Sequence, residues 1–291
     1  AMMVRLMVIA ALFYGLASPA WAQSPAPTTE NAKYGPHERN VLDFWKAPSD
    51  KPAPVIVFIH GGGFVNGDKS QIRKDRIVQD SLNRGISFAA INYRFRGSAP
   101  IQDILRDCAR AIQFIRSKSA EWNVDKTRIA SYGGSAGAGT SLWLAFHDDL
   151  ADPMNADPVL RESTRLTCAG ANSTQFSYDI PRWKELFGKA TQSPAEELLV
   201  PTFYGMTTWT ELDSEAGKKI RGDCDMCGLI SKDDPPVFLF SKQPGGEVKD
   251  RGHLLHHPLH AKAIQDRCKQ TGVEAVAEIP GLEIHPVKDE P

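Results

Sequence analysis

The sequence predicts an α/β fold, with a mainly parallel sheet and helices on both faces. Three observations carry this expectation. Apolar, β-branched runs of strand length alternate with segments whose apolar residues recur at helical spacing. The run Pro54-Val55-Ile56-Val57-Phe58-Ile59-His60 is apolar on successive residues, the pattern of a strand covered on both faces. Finally, Arg128–Tyr132 passes through Gly133-Gly134-Ser135-Ala136-Gly137 directly into a helical segment rich in small residues, a strand-to-helix turn made within a few positions.

The elements follow in chain order. Residues 1–22 read as an export signal: Arg5 gives the charged start, Leu6–Leu16 the apolar core and Ala20-Trp21-Ala22 the small-x-small cleavage site. The apolar stretch is short for a membrane span, so no stable membrane anchor is expected after cleavage, and the protein is expected to be secreted or periplasmic. Residues 23–33 are polar and proline-bearing and are expected to be a disordered lead-in. Residues 34–291 are expected to form one domain. Within it, Asn40–Ala47 is expected as an early edge strand, Pro54–His60 as the next strand, and Gln71–Arg84 as a helix ending at Gly85. Ile86–Tyr93 reads as a strand. Ile101–Ser117, with Ile104, Cys108, Ile112 and Ile115 on one face, reads as a helix. Leu166–Ala171, Val237–Phe240 and Val273–Ile279 are the later strands, with a helix over Leu259–Gln270 that has Pro258 at its start. Residues 179–223 fit the alternation poorly and carry Trp183, Phe187, Phe203, Tyr204 and Trp209. They are expected to form a cap or lid lining a pocket, with ordinary aromatic packing as the alternative.

The chemistry concentrates at two glycine-rich junctions. A strand that turns into a helix within a few residues forces the turning residue into a strained conformation and demands small neighbours. Here Ser135 turns, flanked by Gly133, Gly134, Ala136 and Gly137. The hydroxyl is thereby held at the carboxyl edge of the sheet, beside the free N–H groups of a helix start. This makes Ser135 the candidate nucleophile. Upstream, the Pro54–His60 strand empties into Gly61-Gly62-Gly63-Phe64, a loop whose backbone N–H groups can approach a ligand oxygen closely. A phosphate cradle is disfavoured because no Lys-Ser/Thr follows the glycines in P-loop spacing.

The pair His60-Gly61-Gly62-Gly63-Phe64 and Gly133-Gly134-Ser135-Ala136-Gly137 resembles the α/β-hydrolases, in their hormone-sensitive-lipase-like or acetyl-esterase-like branch. Asn92-Tyr93-Arg94, Asn123-Val124-Asp125 and Asp234-Pro235-Pro236 support the likeness, which runs from about Gly35 to His285. The resemblance implies an oxyanion hole made by Gly62, Gly63 and Ala136, with His60 orienting the loop. It implies a histidine base after the last strand. His285, in Pro280-Gly281-Leu282-Glu283-Ile284-His285, matches the family's P-G-x-x-H ending with one extra residue and is the candidate. The family adds a final helix there, whereas this sequence stops at Pro291. The family's acid sits in a D-x-x-V-P loop, but here Leu254 occupies the aspartate position before Pro258. Glu247, Asp250 and Asp179 remain as candidate acids.

His253, His256, His257 and His260 form a second cluster. At helical spacing they could bind a metal, but Pro258 interrupts such a helix. A loop entering a helix is expected instead, with one of these histidines as an alternative base. The five cysteines, in an exported chain, allow a disulfide, and Cys224-Asp225-Met226-Cys227 reads as a local bridge or free thiols. With 34 basic and 35 acidic residues the charges balance, which argues against a nucleic-acid face or a polybasic anchor. No cofactor and no metal is implied. The expected partner is a small-molecule ester, and the oligomeric state is left open. The expectation is an exported serine carboxylesterase acting on short-chain acyl esters, with acetyl or feruloyl esters of polysaccharide fragments as examples. Two alternatives stand beside it: an amidase or peptidase on the same fold, and a non-catalytic binding protein that has lost its triad.

Overall fold

The computed structural model describes residues 24–191 and 200–286. Its strands are β1 (Thr29–Lys33), β2 (Val41–Trp45), β3 (Ala53–Ile59), β4 (Ser87–Ile91), β5 (Val124–Gly134), β6 (Cys168–Asn172), β7 (Val237–Phe240) and β8 (Ala275–Glu278). They form one sheet in the order β1-β2-β4-β3-β5-β6-β7-β8. β2 pairs antiparallel with both β1 and β4, and every pairing from β4 through β8 is parallel. The helices that matter here are α1 (Ile77–Asn83), α2 (Ile101–Ser117), α3 (Ala136–Phe146), α4 (Glu215–Asp223), α5 (Arg251–His256) and α6 (Leu259–Thr271). This is the predicted α/β class, an α/β-hydrolase sheet with helices on both faces.

Strand alternation divides the core in two. Val55, Val57 and Ile59 of β3 and Ala89 and Ile91 of β4 face the main cluster, which contains the apolar stripe of α2 and residues of α3 and α6. Ile56, Phe88 and Ala90 face the opposite side and pack with Ile77 and Val78 of α1. The α2 residues Ile104, Cys108, Ile112 and Ile115 are fully buried, each isoleucine contributing about 1.5–3 kcal/mol on burial.

The structure corrects several boundaries. Residues 24–33 were expected to be disordered, but they are tied down. The Trp45 indole donates to the Pro25 carbonyl at 2.7 Å, and Thr29–Lys33 adds β1 outside β2. The Asn40–Ala47 segment is therefore not at the sheet's edge. The single helix expected over residues 71–84 is two pieces, a 3-10 turn (Lys69–Lys74) and α1, separated where Asp75 adopts an extended conformation. The export signal at 1–22 and residue 23 lie outside the described residues. The five cysteines are all buried and form no disulfide.

Candidate active site

The site forms where β3 and β5 end side by side, with Ile59 paired to Gly133. The approach is so close that only glycine fits at key positions. A Cβ on Gly137 would lie 1.9 Å from the Ile59 carbonyl oxygen, and one on Gly133 would lie 2.3 Å from the same atom. The oxyanion-loop glycine Gly61 abuts the elbow in the same way, with its Cβ position 2.7 Å from the Gly134 oxygen.

Ser135 turns this corner with φ 53° and ψ −119°. A non-glycine residue there is strained, and the surrounding bonds hold it. Its N–H donates to the Asn172 carbonyl of β6 at 2.9 Å, and its carbonyl accepts from Gly139 at 3.1 Å. The Tyr178 hydroxyl donates to the Ala136 carbonyl at 2.8 Å and pins the first turn of α3.

The Ser135 hydroxyl lies 2.8 Å from Nε2 of His256. Nδ1 of that ring lies 3.0 Å from the Gly252 carbonyl oxygen, one turn back on α5. A carbonyl can only accept, so Nδ1 carries the proton and Nε2 is left to accept from the serine. The arrangement is a serine–histidine dyad oriented by a backbone carbonyl.

This corrects the candidate base. His285 is exposed to solvent. The reason is local: Ile279 and Ile284 bridge each other, with N–H to carbonyl distances of 2.8 and 3.2 Å, around a 3-10 turn over Pro280–Leu282. The turn closes on itself and leaves His285 beyond it. The candidate acids are corrected as well. Glu247 is exposed. Asp250 caps α5, its carboxylate accepting the His253 N–H at 2.8 Å. Asp179 pairs with Arg221 at 2.9 Å, and burial raises its pKa. Among the described residues, no carboxylate hydrogen-bonds to His256.

Two local signals fold the sequence this way. Asp250 starts α5 as an N-cap. Pro258 then disfavours helical geometry at the residue before it, and His257 is extended at φ −56°, ψ 135°. The helix ends at His256. The Asp250 cap and the proline stop are visible in the sequence and bracket a helix that periodicity over so few residues does not reveal.

The remaining histidines of the cluster are tied to backbone. Nε2 of His253, His257 and His260 donates to the carbonyls of Pro244 (2.8 Å), Gly246 (2.9 Å) and Leu254 (2.9 Å). Their Nδ1 atoms accept N–H groups of Lys249, Leu259 and Phe176, each at 3.2 Å. They therefore hold the tautomer opposite to that of His256. Burial lowers the pKa of His257 and pushes that of His260 down to about 3. The rings do not converge on a common point, and no group of three potential metal ligands occurs among the described residues.

Gly63 and Ala136 line the same cavity as Ser135. Gly62 and Gly63 have φ 111° and 60°, and the Gly62 carbonyl accepts the N–H groups of Val65 and Asn66 at 3.0 and 3.2 Å, folding the loop tightly. Ala136 is the first residue of α3, so its N–H has no partner within the helix. His60 is fully buried beneath this loop. Its Nδ1 lies 2.7 Å from the Gly61 carbonyl, Arg39 donates to its Nε2 at 3.3 Å, and Tyr93 stacks on the ring at 4.2 Å. Burial lowers its pKa to about 4, keeping it neutral.

The cavity measures about 240 Å³ and is walled by Phe64, Tyr178, Trp183, Phe203, Trp209 and Leu254. Trp183, Phe203 and Trp209 come from the 179–223 segment. Sequence reasoning missed Tyr178 and Arg96, also in the lining, because each sits in an irregular segment far along the chain from Ser135.

The BD-FAE family model matches residues 42–243, a span that includes both glycine junctions and ends before α5. "Probable carboxylic ester hydrolase LipM" of Mycobacterium tuberculosis is 32% identical over 253 residues, covering 85% of this chain and 53% of its own length. A "Probable isoprenylcysteine alpha-carbonyl methylesterase" of Arabidopsis thaliana is 35% identical over 134 residues, 46% of this chain and 28% of the relative. This chain thus spans about half the length of one curated relative and less of the other. The solved structure titled "Truncated form of carbohydrate esterase from gut microbiota" superposes with a TM-score of 0.67 at 17% identity, covering 89% of this chain and 90% of that one. It shares the fold. Sheet, elbow, glycine loop and family match agree: the chain belongs to the BD-FAE family, in the esterase branch of the α/β-hydrolases.

Proposed function

We propose that this protein hydrolyses small carboxylic esters by serine acyl transfer. The observation that carries the reading is the 2.8 Å contact between the Ser135 hydroxyl and a His256 ring whose other nitrogen is already engaged. Nε2 of His256 accepts the serine proton as Oγ attacks the acyl carbon. The imidazolium that forms donates to the Gly252 carbonyl. The carbonyl oxygen of the substrate becomes negative, and the N–H groups of Ala136, Gly63 and Gly62 hold it, each donor contributing about 3–4 kcal/mol to the transition state. His256 then gives its proton to the leaving alkoxide, and water releases the acyl group by the same route.

The names of the relatives support an ester substrate. So does the dyad: with a backbone carbonyl and, among the described residues, no carboxylate behind it, the imidazolium is less stabilised, which suits an alkoxide leaving group better than an amine. A cavity of about 240 Å³ walled by aromatic rings suits a short or single-ring acyl group, such as acetyl or feruloyl, rather than a long fatty chain. The leader-like composition of residues 1–22 supports export to the periplasm or beyond.

A fluorophosphonate probe, together with hydrolysis of p-nitrophenyl acetate, tests the reading. Stoichiometric attachment to Ser135, lost in Ser135→Ala, is expected. Absence of labelling on folded protein overturns it. Matched ester and anilide substrates separate an esterase from an amidase.

A further inference from the structure

Among the described residues, the charged lining of the cavity beside Ser135 is of one sign. Its described lining holds Arg96, Arg251 and Lys184 and no aspartate or glutamate. Arg96 is set by the oxyanion loop itself, its backbone N–H donating to the Phe64 carbonyl at 2.8 Å. Its guanidinium lies 5.0 Å from the centroid of the Phe203 ring. Its Nε is sealed from solvent with no hydrogen-bond partner among the described residues.

The contrast with the chain's other covered arginines is informative. The guanidinium of Arg94, two residues earlier, meets Asp107 at 2.8 and 2.9 Å. Arg221 meets Asp179. Arg182 meets Glu185 and Asp225. Arg39 donates to the Tyr93 and Gly67 carbonyls, and Arg116 to those of Lys126, Ser163 and Arg165. Among the described residues Arg96 has neither kind of acceptor. A half-buried cation without an acceptor is costly, and an anion entering the cavity removes that cost. Burial, and then the charge of Arg251, lower the pKa of Arg96, consistent with two cations facing one space. Arg251 opens α5, the helix that carries His256, while Arg96 is tied to the oxyanion loop.

We propose that the ester this site is built for carries a carboxylate, and that Arg96 binds it beside Ser135. This inference rests on the esterase reading above. The carboxylate can sit on the acyl or on the alcohol side, and two substrate pairs distinguish these. On the acyl side, p-nitrophenyl hydrogen glutarate is compared with p-nitrophenyl methyl glutarate. On the alcohol side, 4-acetoxybenzoate is compared with its methyl ester, each rate normalised to hydrolysis in buffer.

A charge-assisted contact of this kind should favour the carboxylate form of at least one pair by about tenfold or more in kcat/KM, mainly through KM. That preference should fall to about one in Arg96→Gln, be partly restored in Arg96→Lys, and shrink in the wild type as salt is raised. Calorimetric binding of the same esters to Ser135→Ala reads the subsite without chemistry. If binding shows the preference but the wild type hydrolyses nothing, the esterase reading fails and the anion subsite stands. If neither pair shows a preference in binding or turnover, or if the preference survives in Arg96→Gln, the anion subsite is overturned.

Discussion

His256 donates its Nδ1 proton to the Gly252 carbonyl, 3.0 Å away and one turn earlier on the same short helix, and presents Nε2 to Ser135. The ring thus takes its orientation from the element that carries it, and among the described residues no carboxylate shares in it. His256→Ala should therefore lower kcat by about 10⁴-fold or more. His285→Ala, which changes an exposed ring, should leave kcat/KM within about twofold. Steady-state rates on p-nitrophenyl acetate check both, and the opposite ranking would reinstate His285.

Asp250 caps α5 and does not touch His256. Asp250→Ala should cost about 1 kcal/mol of stability, as the loss of an N-cap does. Its effect on kcat should stay far below the roughly 10⁴-fold loss seen when a triad carboxylate is neutralised. Denaturant melts alongside kcat separate the two roles. A collapse of kcat with unchanged stability would identify Asp250 as the acid after all.

The elbow glycines differ sharply in what they tolerate. The Cβ added by Gly137→Ala would sit 1.9 Å from the Ile59 oxygen, whereas that of Gly134→Ala finds its nearest neighbour, the Asn172 oxygen, at 4.0 Å. Gly137→Ala should destabilise by about 3 kcal/mol or more, the upper range for overpacking. Gly134→Ala should fold with near-normal stability. Thermal unfolding of the two variants checks this, and equal melting temperatures would show that the junction yields to an added methyl group.

Two buried histidines set the response to acid. Burial holds His60 at about 4 and His260 at about 3, whereas in the unfolded chain both titrate near 6.5. Between roughly pH 4 and 6.5 the unfolded state binds protons that the native state refuses, so stability is lost as pH falls through this window. Asp234, raised to about 6 chiefly by burial, works in the opposite direction between about 4 and 6, because its native form binds the extra proton. Burial lowers His257 as well and raises Asp179 against it, so the histidines keep the upper hand and stability should fall on acidification. Urea midpoints at pH 6.5, 5.5 and 4.5 measure it. A flat or rising series would contradict the assignment.

The sequence by itself determined the inner strands of the sheet, the elbow and the glycine loop, while the edge strand β1 was missed. Those features are local: the apolar run of β3 needs cover on both faces, and a serine at a strand-to-helix turn needs glycines at contact distance. Ile104, Cys108, Ile112 and Ile115 fixed α2 in the same way, because their period is written within one element. Tertiary structure decided the partner of Ser135, since that depends on where a separate segment of chain comes to rest. Asp250 and Pro258 bracket a helix too short for periodicity to announce, and only its packing against the elbow selects His256 from four neighbouring histidines. His285 fitted the expected motif, but the Ile279–Ile284 bridge leaves its ring in solvent. That Arg96 finds no acceptor among the described residues was equally hidden, because it is a property of the folded surroundings and not of any stretch of sequence.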